Sequence, residues 1–232
     1  MKKEYYNNAE KRLLELYEKM ELGKSKICRD CRLECDMSMP IGCWFVGNHF
    51  YDNEKRILFV GKNARGNPGN VHGAFMNQFE YARDLLWKKS WPYWSYTYAI
   101  SETIYGTNTP EYIAFTNLVK CNNSPNIDKT PDNVKDYCIK QLGVLRKEIE
   151  IILPTHIIFY TSWDYDKYIH EIFEQFDINY NTKKLIGNKN MPWMEATAML
   201  DKNEMKVLRV GHPERKKKED FVNSIVDWIK SN

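Results

Sequence analysis

The stretch Arg56-Ile57-Leu58-Phe59-Val60-Gly61-Lys62-Asn63-Ala64-Arg65-Gly66 constrains the fold most. Its four consecutive apolar residues stop at a glycine, and a polar segment follows. A short apolar run closed in this way reads as a buried strand that delivers a Gly/Asn-rich loop to its carboxyl end. In an open parallel sheet, ligands bind just outside those carboxyl ends. The segment is therefore a candidate floor for a binding site.

The remaining chain alternates helical and extended patterns. Residues 4–22 place Leu13, Leu14, Leu16, Tyr17 and Met20 among charges, as an amphipathic helix does, and Gly23 ends it. A cysteine-rich irregular segment at 24–53 is broken by Pro40, Gly42 and Gly47. After the strand at 57–60, a Gly/Asn/Pro loop leads to a helix at 75–87. Residues 90–105 hold Trp91, Tyr93, Trp94, Tyr96 and Tyr98, which suit a helix packed on the core or a base-stacking surface. A second strand at 113–119 leads through Asn117 to Cys121. A long helix is expected over 132–152, with Thr130 as its cap and Pro131 at its first position. Further strands are expected at 156–160, 184–186 and 206–210, and helices at 164–176 and 219–230. Strands that alternate with helices predict a three-layer α/β/α sandwich around a central, mostly parallel, four-stranded sheet. With no internal repeat, low-complexity tract or linker, one domain over all 232 residues is the simplest organisation.

Composition narrows the class only a little. A net charge of +3 is too small to argue for nucleic acid by itself, so local charge must carry any such claim. No apolar run is long enough to span a bilayer, and the amino terminus leads into a charged helix rather than a signal core. A soluble, cytoplasmic monomer is the expectation. In that compartment the six cysteines, Cys28, Cys31, Cys35, Cys43, Cys121 and Cys138, suit metal or cluster ligation better than disulfides.

Three strand ends present polar groups: Gly61-Lys62-Asn63, Asn117, and His212 within Gly211-His212-Pro213. An asparagine after a strand is usually a turn residue, and a lone histidine is usually structural. If these strands are parallel neighbours, however, all three groups meet on one edge.

Residues 57–66, Thr116-Asn117-Leu118-Val119-Lys120-Cys121 and Gly211-His212-Pro213 together resemble the signature segments of the uracil-DNA glycosylase superfamily. Cys28-x-x-Cys31-x-Leu33, and Cys121 followed by Asn126, Pro131 and Cys138, are similar to the iron–sulfur (family 4-like) uracil-DNA glycosylases. The resemblance spans roughly residues 26–229. It implies a 4Fe–4S cluster held by Cys28, Cys31, Cys121 and Cys138, acting as a structural staple. The alternative is a zinc site from Cys28, Cys31, Cys35 and Cys43, which leaves Cys121 and Cys138 without a role.

The resemblance also implies an activity: hydrolysis of the N-glycosidic bond of a base flipped out of DNA. Asn63 and His212 are then the catalytic residues, Asn63 orienting and His212 donating a hydrogen bond to the departing base. Asn117 reads the base edge with its amide. Gly61, Lys62 and Arg65 border the base, and Phe75 or Phe79 stacks on it, Phe75 fitting the spacing better. Arg215, Lys216, Lys217 and Lys218 follow His212 and are candidate phosphate contacts, although charge runs are commonly solvated faces. The iron–sulfur members read Gly-Glu-Ala-Pro-Gly in the first loop; here Asn63 and Ala64 replace Ala and Pro, and Glu214 replaces the usual serine after His-Pro. With Lys62 and Arg65 beside the pocket, a base other than uracil, such as a hypermodified phage pyrimidine, is an open expectation. So is a DNA- or nucleotide-binding relative that has lost hydrolysis.

Overall fold

The computed structural model describes residues 6–35, 44–65, 90–107, 110–123, 130–173, 177–179, 183–186, 189–200 and 203–232. The helices are α1 (Asn8–Lys19), α2 (Lys26–Glu34), α3 (Pro92–Tyr105), α4 (Asp132–Lys135), α5 (Val144–Ile152), α6 (Asp166–Ile172) and α7 (Lys218–Ser231). The strands are β1 (Phe45–Val46), β2 (Ile57–Arg65), β3 (Ala114–Asn123), β4 (His156–Phe159), β5 (Asp177–Asn179), β6 (Lys183–Ile186), β7 (Lys189–Leu200) and β8 (Asn203–Val210). The protein is α/β with a mixed sheet in the order β1-β3-β2-β4-β8-β7-β5, and β6 pairs with β7.

Four of the five strands expected from sequence are adjacent and parallel, β3 pairing with β2, β2 with β4, and β4 with β8, while the fifth, at 184–186, is β6 and pairs antiparallel with β7. The sheet does not stop at four. Antiparallel β1 extends one side, while β7 and β5 extend the other. The β7–β8 pairing is the longest of these added pairings, running from Trp193 opposite Val210 to Leu200 opposite Asn203. Strand β7 escapes a sequence reading because Pro192 and the mixed polarity of Lys189–Leu200 obscure any alternation.

Strand β2 shows why the parallel core forms. Ile57, Leu58, Phe59 and Val60 are fully buried. Ile57 and Phe59 join one apolar cluster, with residues of α3 and α7, while Leu58 and Val60 join another, with residues of α1, α2, α5 and α6. Burying each such side chain contributes about 2 kcal/mol. Local signals set the helix ends. Asn7 and Glu10 form a reciprocal cap on α1, and the same two side chains bond to the backbone of Val46 in β1. Ser25 caps α2, Pro92 opens α3, and Gly106 ends α3 with φ +72°. Arg209 of β8, fully buried, is held by both carboxylate oxygens of Asp166 at 2.7 and 2.6 Å.

Several boundaries differ from the sequence reading. The segment at 24–53 contains helix α2, so Cys28 and Cys31 share one helix. The long helix at 132–152 is three pieces. Helix α4 passes into a π-helical turn, Asp136–Gln141, and Gly143 with φ +60° separates that from α5. Pro131, not Thr130, occupies the cap position of α4. Strand β2 continues through Gly61, Lys62 and Asn63, which are strand residues rather than loop residues. The expected helix at 75–87 lies outside the described residues.

Candidate active site

Parallel pairing sets β2 and β3 in register, with Gly61 opposite Asn117 and Asn63 opposite Val119. Gly61 and Asn117 are therefore interior strand residues, not strand ends as the sequence suggested, because both strands run on past the apolar core. A Cβ on Gly61 would stand 2.3 Å from Asn117 Oδ1 and 3.2 Å from the Tyr93 hydroxyl oxygen. Asn117, 5% exposed, therefore lies against Gly61, where any larger residue would displace its side chain.

His212 follows β8, two strands away from β2 in the sheet. Tyr93 of α3 spans the gap. Its ring centroid is 5.7 Å from that of His212, and it packs edge-on against Phe115 and Tyr160. His212 is partly exposed, and its Nδ1 accepts a hydrogen bond of 3.2 Å from the backbone N–H of Glu214. An acceptor Nδ1 places the proton of neutral imidazole on Nε2. Glu214 thus supplies the orienting contact through its backbone.

Asn63 is held from the other side. The Thr130 hydroxyl donates to Asn63 Oδ1 at 3.1 Å, and the Tyr165 hydroxyl donates to Thr130 Oγ1 at 2.9 Å. Tyr165 precedes α6, and the Lys135 ammonium lies 4.5 Å from its ring centroid. Burial pushes the Tyr165 phenol up to about 12, so it remains a donor at neutral pH. Tyr93, Thr130 and Tyr165 are missing from the sequence-derived site. Tyr93 was one of five aromatics in a single helical stretch, and Thr130 beside Pro131 looked like a helix cap. The Tyr165–Thr130 contact joins residues 35 apart and has no local signature.

Of the other expected residues, Lys62 is half-buried, and Arg65 is described only as backbone within β2. Phe75 and Phe79 lie outside the described residues. In the basic run, Arg215 is exposed, with φ +67°. The Tyr96 hydroxyl donates to the Lys216 carbonyl at 2.6 Å, Lys217 pairs with Asp220 at 3.3 Å, and Lys218 donates to Ser95 Oγ at 2.7 Å. Glu219 and Asp220 occupy the first turn of α7, so acidic residues offset the cations at that helix start.

The structure draws distant cysteines toward one another. Cys28 and Cys31 on α2, Cys138 in the π-helical turn and Cys121 near the end of β3 belong to or pack against one apolar cluster. Burial, with smaller contributions from Cys35, Cys138 and Cys28, raises the Cys31 thiol to about 12. Burial likewise raises Cys121, with Cys138, Cys28 and Cys31 adding to the effect. Cys138 is pushed up to about 11 by burial, against a backbone hydrogen bond and the charge of Lys120, which lower it. Thiolate ligation of a cluster would require each of these buried thiols to lose its proton. The Gly23 N–H also donates to Cys28 Sγ at 3.2 Å. Among the described residues, no group of three or more His, Cys, Asp or Glu side chains is arranged to hold a single metal ion. Cys35 is buried beside Cys31, and Cys43 lies outside the described residues.

No family model matches the chain, and no curated protein matches it. Among the described residues, no helix is long and apolar enough to cross a membrane.

Proposed function

We propose that the protein is a DNA glycosylase of three-layer α/β/α architecture that hydrolyses the N-glycosidic bond of a flipped-out uracil or other modified pyrimidine. One observation carries the reading: the backbone of Glu214 fixes His212 in the tautomer whose Nε2–H is a donor. Breaking a glycosidic bond leaves negative charge on the base and an oxocarbenium-like sugar. A preorganised donor aimed at that negative charge lowers the barrier, typically by about a hundred- to a thousandfold in rate.

The surrounding residues take compatible roles. The amide of Asn117, lying across Gly61, offers a donor and an acceptor to a pyrimidine edge. Tyr93 forms an aromatic wall beside His212. Asn63 cannot act as a strong base, so it orients rather than deprotonates. Arg215, Lys216, Lys217 and Lys218 would meet the phosphates that flank the flipped nucleotide. Cys28, Cys31, Cys121 and Cys138 would hold a 4Fe–4S cluster, which when bound supplies a structural tie. The residues themselves link α2, the end of β3 and the π-helical turn.

The test is base release from synthetic oligonucleotides carrying uracil or a panel of modified pyrimidines. The wild type is compared with Asn63→Ala and His212→Ala. Release by the wild type, with loss in both variants, supports the reading. No release from any substrate, with DNA binding intact, replaces the enzyme with a binding protein of the same fold.

A further inference from the structure

We propose that Trp163 is a stacking platform for an unpaired nucleobase beside the flipped one, so that the favoured substrate is single-stranded or locally opened DNA. The inference rests on the nucleic-acid part of the proposed function and deepens it by naming the form of DNA the site takes.

Trp163 differs from most tryptophans of this protein. Trp44, Trp94, Trp193 and Trp228 are no more than 5% exposed, whereas Trp163 is 47% exposed. Trp91 is similarly exposed, but it lies at the start of α3 and has an interaction of its own. Among the described residues, no hydrogen bond or ring contact engages the Trp163 side chain.

Its backbone, by contrast, is tied down. Strand β4 ends at Phe159. Beyond it, the Tyr160 N–H donates to the Val60 carbonyl of β2 at 2.9 Å, and the Ser162 N–H donates to the Val210 carbonyl of β8 at 3.0 Å. The Asp166 N–H donates to the Trp163 carbonyl, and the Asp166 carboxylate holds buried Arg209. The Tyr165 hydroxyl lies 2.9 Å from Thr130 Oγ1, which lies 3.1 Å from Asn63 Oδ1. Ser162 has φ +61° and ψ −172°, a conformation that side chains rarely adopt. The turn Trp163–Tyr165 is therefore fixed between β8, which leads to His212, and the Thr130 contact to Asn63. A tryptophan mounted in this way offers a large flat face and loses little side-chain freedom when something packs on it.

Charge decides what packs there. Asp164, next to Trp163, and Glu214, beyond His212, are both exposed, so a phosphate is disfavoured at the ring itself. The cations lie further along the chain, from exposed Arg215 to Lys218. A ring near a basic run is the pattern that binds single-stranded nucleic acid, the cations tracking the backbone and the ring taking a base. A base inside a duplex is already stacked on both faces, so only an unpaired base can use Trp163.

The experiment measures, by anisotropy, binding of a fluorescein-labelled single-stranded oligodeoxynucleotide. The comparison probes are the same strand with abasic sugars flanking the target nucleotide, and its perfect duplex. The wild type is expected to bind the base-bearing single strand about tenfold more tightly than the abasic strand, and more tightly than the duplex. Trp163→Ala and Trp163→Leu are expected to lose the tenfold difference, since leucine keeps apolar area without a ring, while Trp163→Phe keeps most of it. The slope of log affinity against log salt is expected to be the same in all three variants, because stacking releases no counterions. Discrimination that survives in Trp163→Ala, or that is equal in Trp163→Leu and Trp163→Phe, overturns the inference. So does a wild type that binds duplex and single strand equally. A wild type that binds no DNA overturns it together with the DNA reading. A wild type that binds DNA but releases no base overturns only the glycosylase chemistry, and the same binding comparison still decides the role of Trp163.

Discussion

Two polar clusters share strand β3, and they are built on opposite plans. In one, Lys120 donates to Glu148 Oε2 at 2.7 Å, to Thr116 Oγ1 at 2.8 Å and to the Asn117 carbonyl, while Thr116 and Tyr17 also donate to Glu148. The Lys120 and Glu148 side chains are 4% and 0% exposed, so this ion pair is closed off from solvent. Burial, with the nearby Glu148 carboxylate, raises the Tyr17 phenol well above its ordinary range, so it stays a donor. In the second cluster, Asn117, Asn63 and His212 each meet a neighbour of a different kind. Gly61 makes room for Asn117, Thr130 bonds to Asn63, and the Glu214 backbone bonds to His212. The closed cluster builds architecture. The second cluster is the part that, on the proposed function, meets the ligand. They meet at Asn117, whose backbone carbonyl is gripped by Lys120 while its side chain lies against Gly61 of β2.

The largest expected effect lies in the closed cluster. Glu148→Ala strands the Lys120 charge in the core and is expected to cost about 3–5 kcal/mol in urea unfolding. A loss under 1 kcal/mol would mean the network is not closed. Replacing the pair together, as Lys120→Met with Glu148→Leu, is expected to cost much less, because no buried charge is left unpaired.

Gly61→Ala tests the second cluster. Its Cβ would meet the movable end of Asn117, so stability is expected to change by about 1 kcal/mol or less, whereas base release falls by about tenfold. Gly47→Ala sharpens the contrast. There a Cβ would stand 2.1 Å from a backbone oxygen of Glu111, which cannot swing aside, and melting is expected to drop several degrees. Equal effects of the two alanines on stability would erase the distinction.

Changing Lys216, Lys217 and Lys218 to serine is expected to reduce the slope of log affinity for DNA against log salt by up to about 3, less if local partners keep them from the phosphates. A titration of DNA binding at several salt concentrations reads this directly, and an unchanged slope removes the run from the interface.

At neutral pH the smallest expected effect comes from His156, at the start of β4 and the opposite end of that strand from the site; its effect appears only as the pH falls. Burial, with Lys55 and Lys206 nearby, lowers its pKa from the ordinary 6.5 to about 4. Between those values the unfolded chain binds more protons than the folded one, so stability is full above about 6.5 and declines as pH falls toward about 4. Melting curves across this window are expected to flatten in His156→Asn, and an unaltered slope would contradict the assignment.

The parallel core was legible because each of its four strands carries apolar residues and ends in glycine, asparagine or a polar turn. His212 was legible past a strand end for the same reason, whereas Gly61 and Asn117 lie inside β2 and β3, which run on past the apolar residues that marked them. The connection among the three was not legible, because it depends on Tyr93, which belongs to a helix whose other aromatics, Trp94 and Tyr98, are core. Thr130 misled for a physical reason: a threonine before proline has the same local pattern whether it caps a helix or faces across the sheet. The π-helical turn that carries Cys138 was also hidden, since it differs from an α-helix in hydrogen bonding and not in composition.

The central claim is that the cluster of Asn117, Asn63 and His212 drives base release, and one comparison tests it most directly. Release of base from oligonucleotides is measured for the wild type and for His212→Ala under single-turnover conditions. The account predicts release by the wild type and a rate about a hundred- to a thousandfold lower in the variant, with its melting temperature unchanged. Equal rates in the two proteins, or no release by the wild type from any modified DNA, would contradict it.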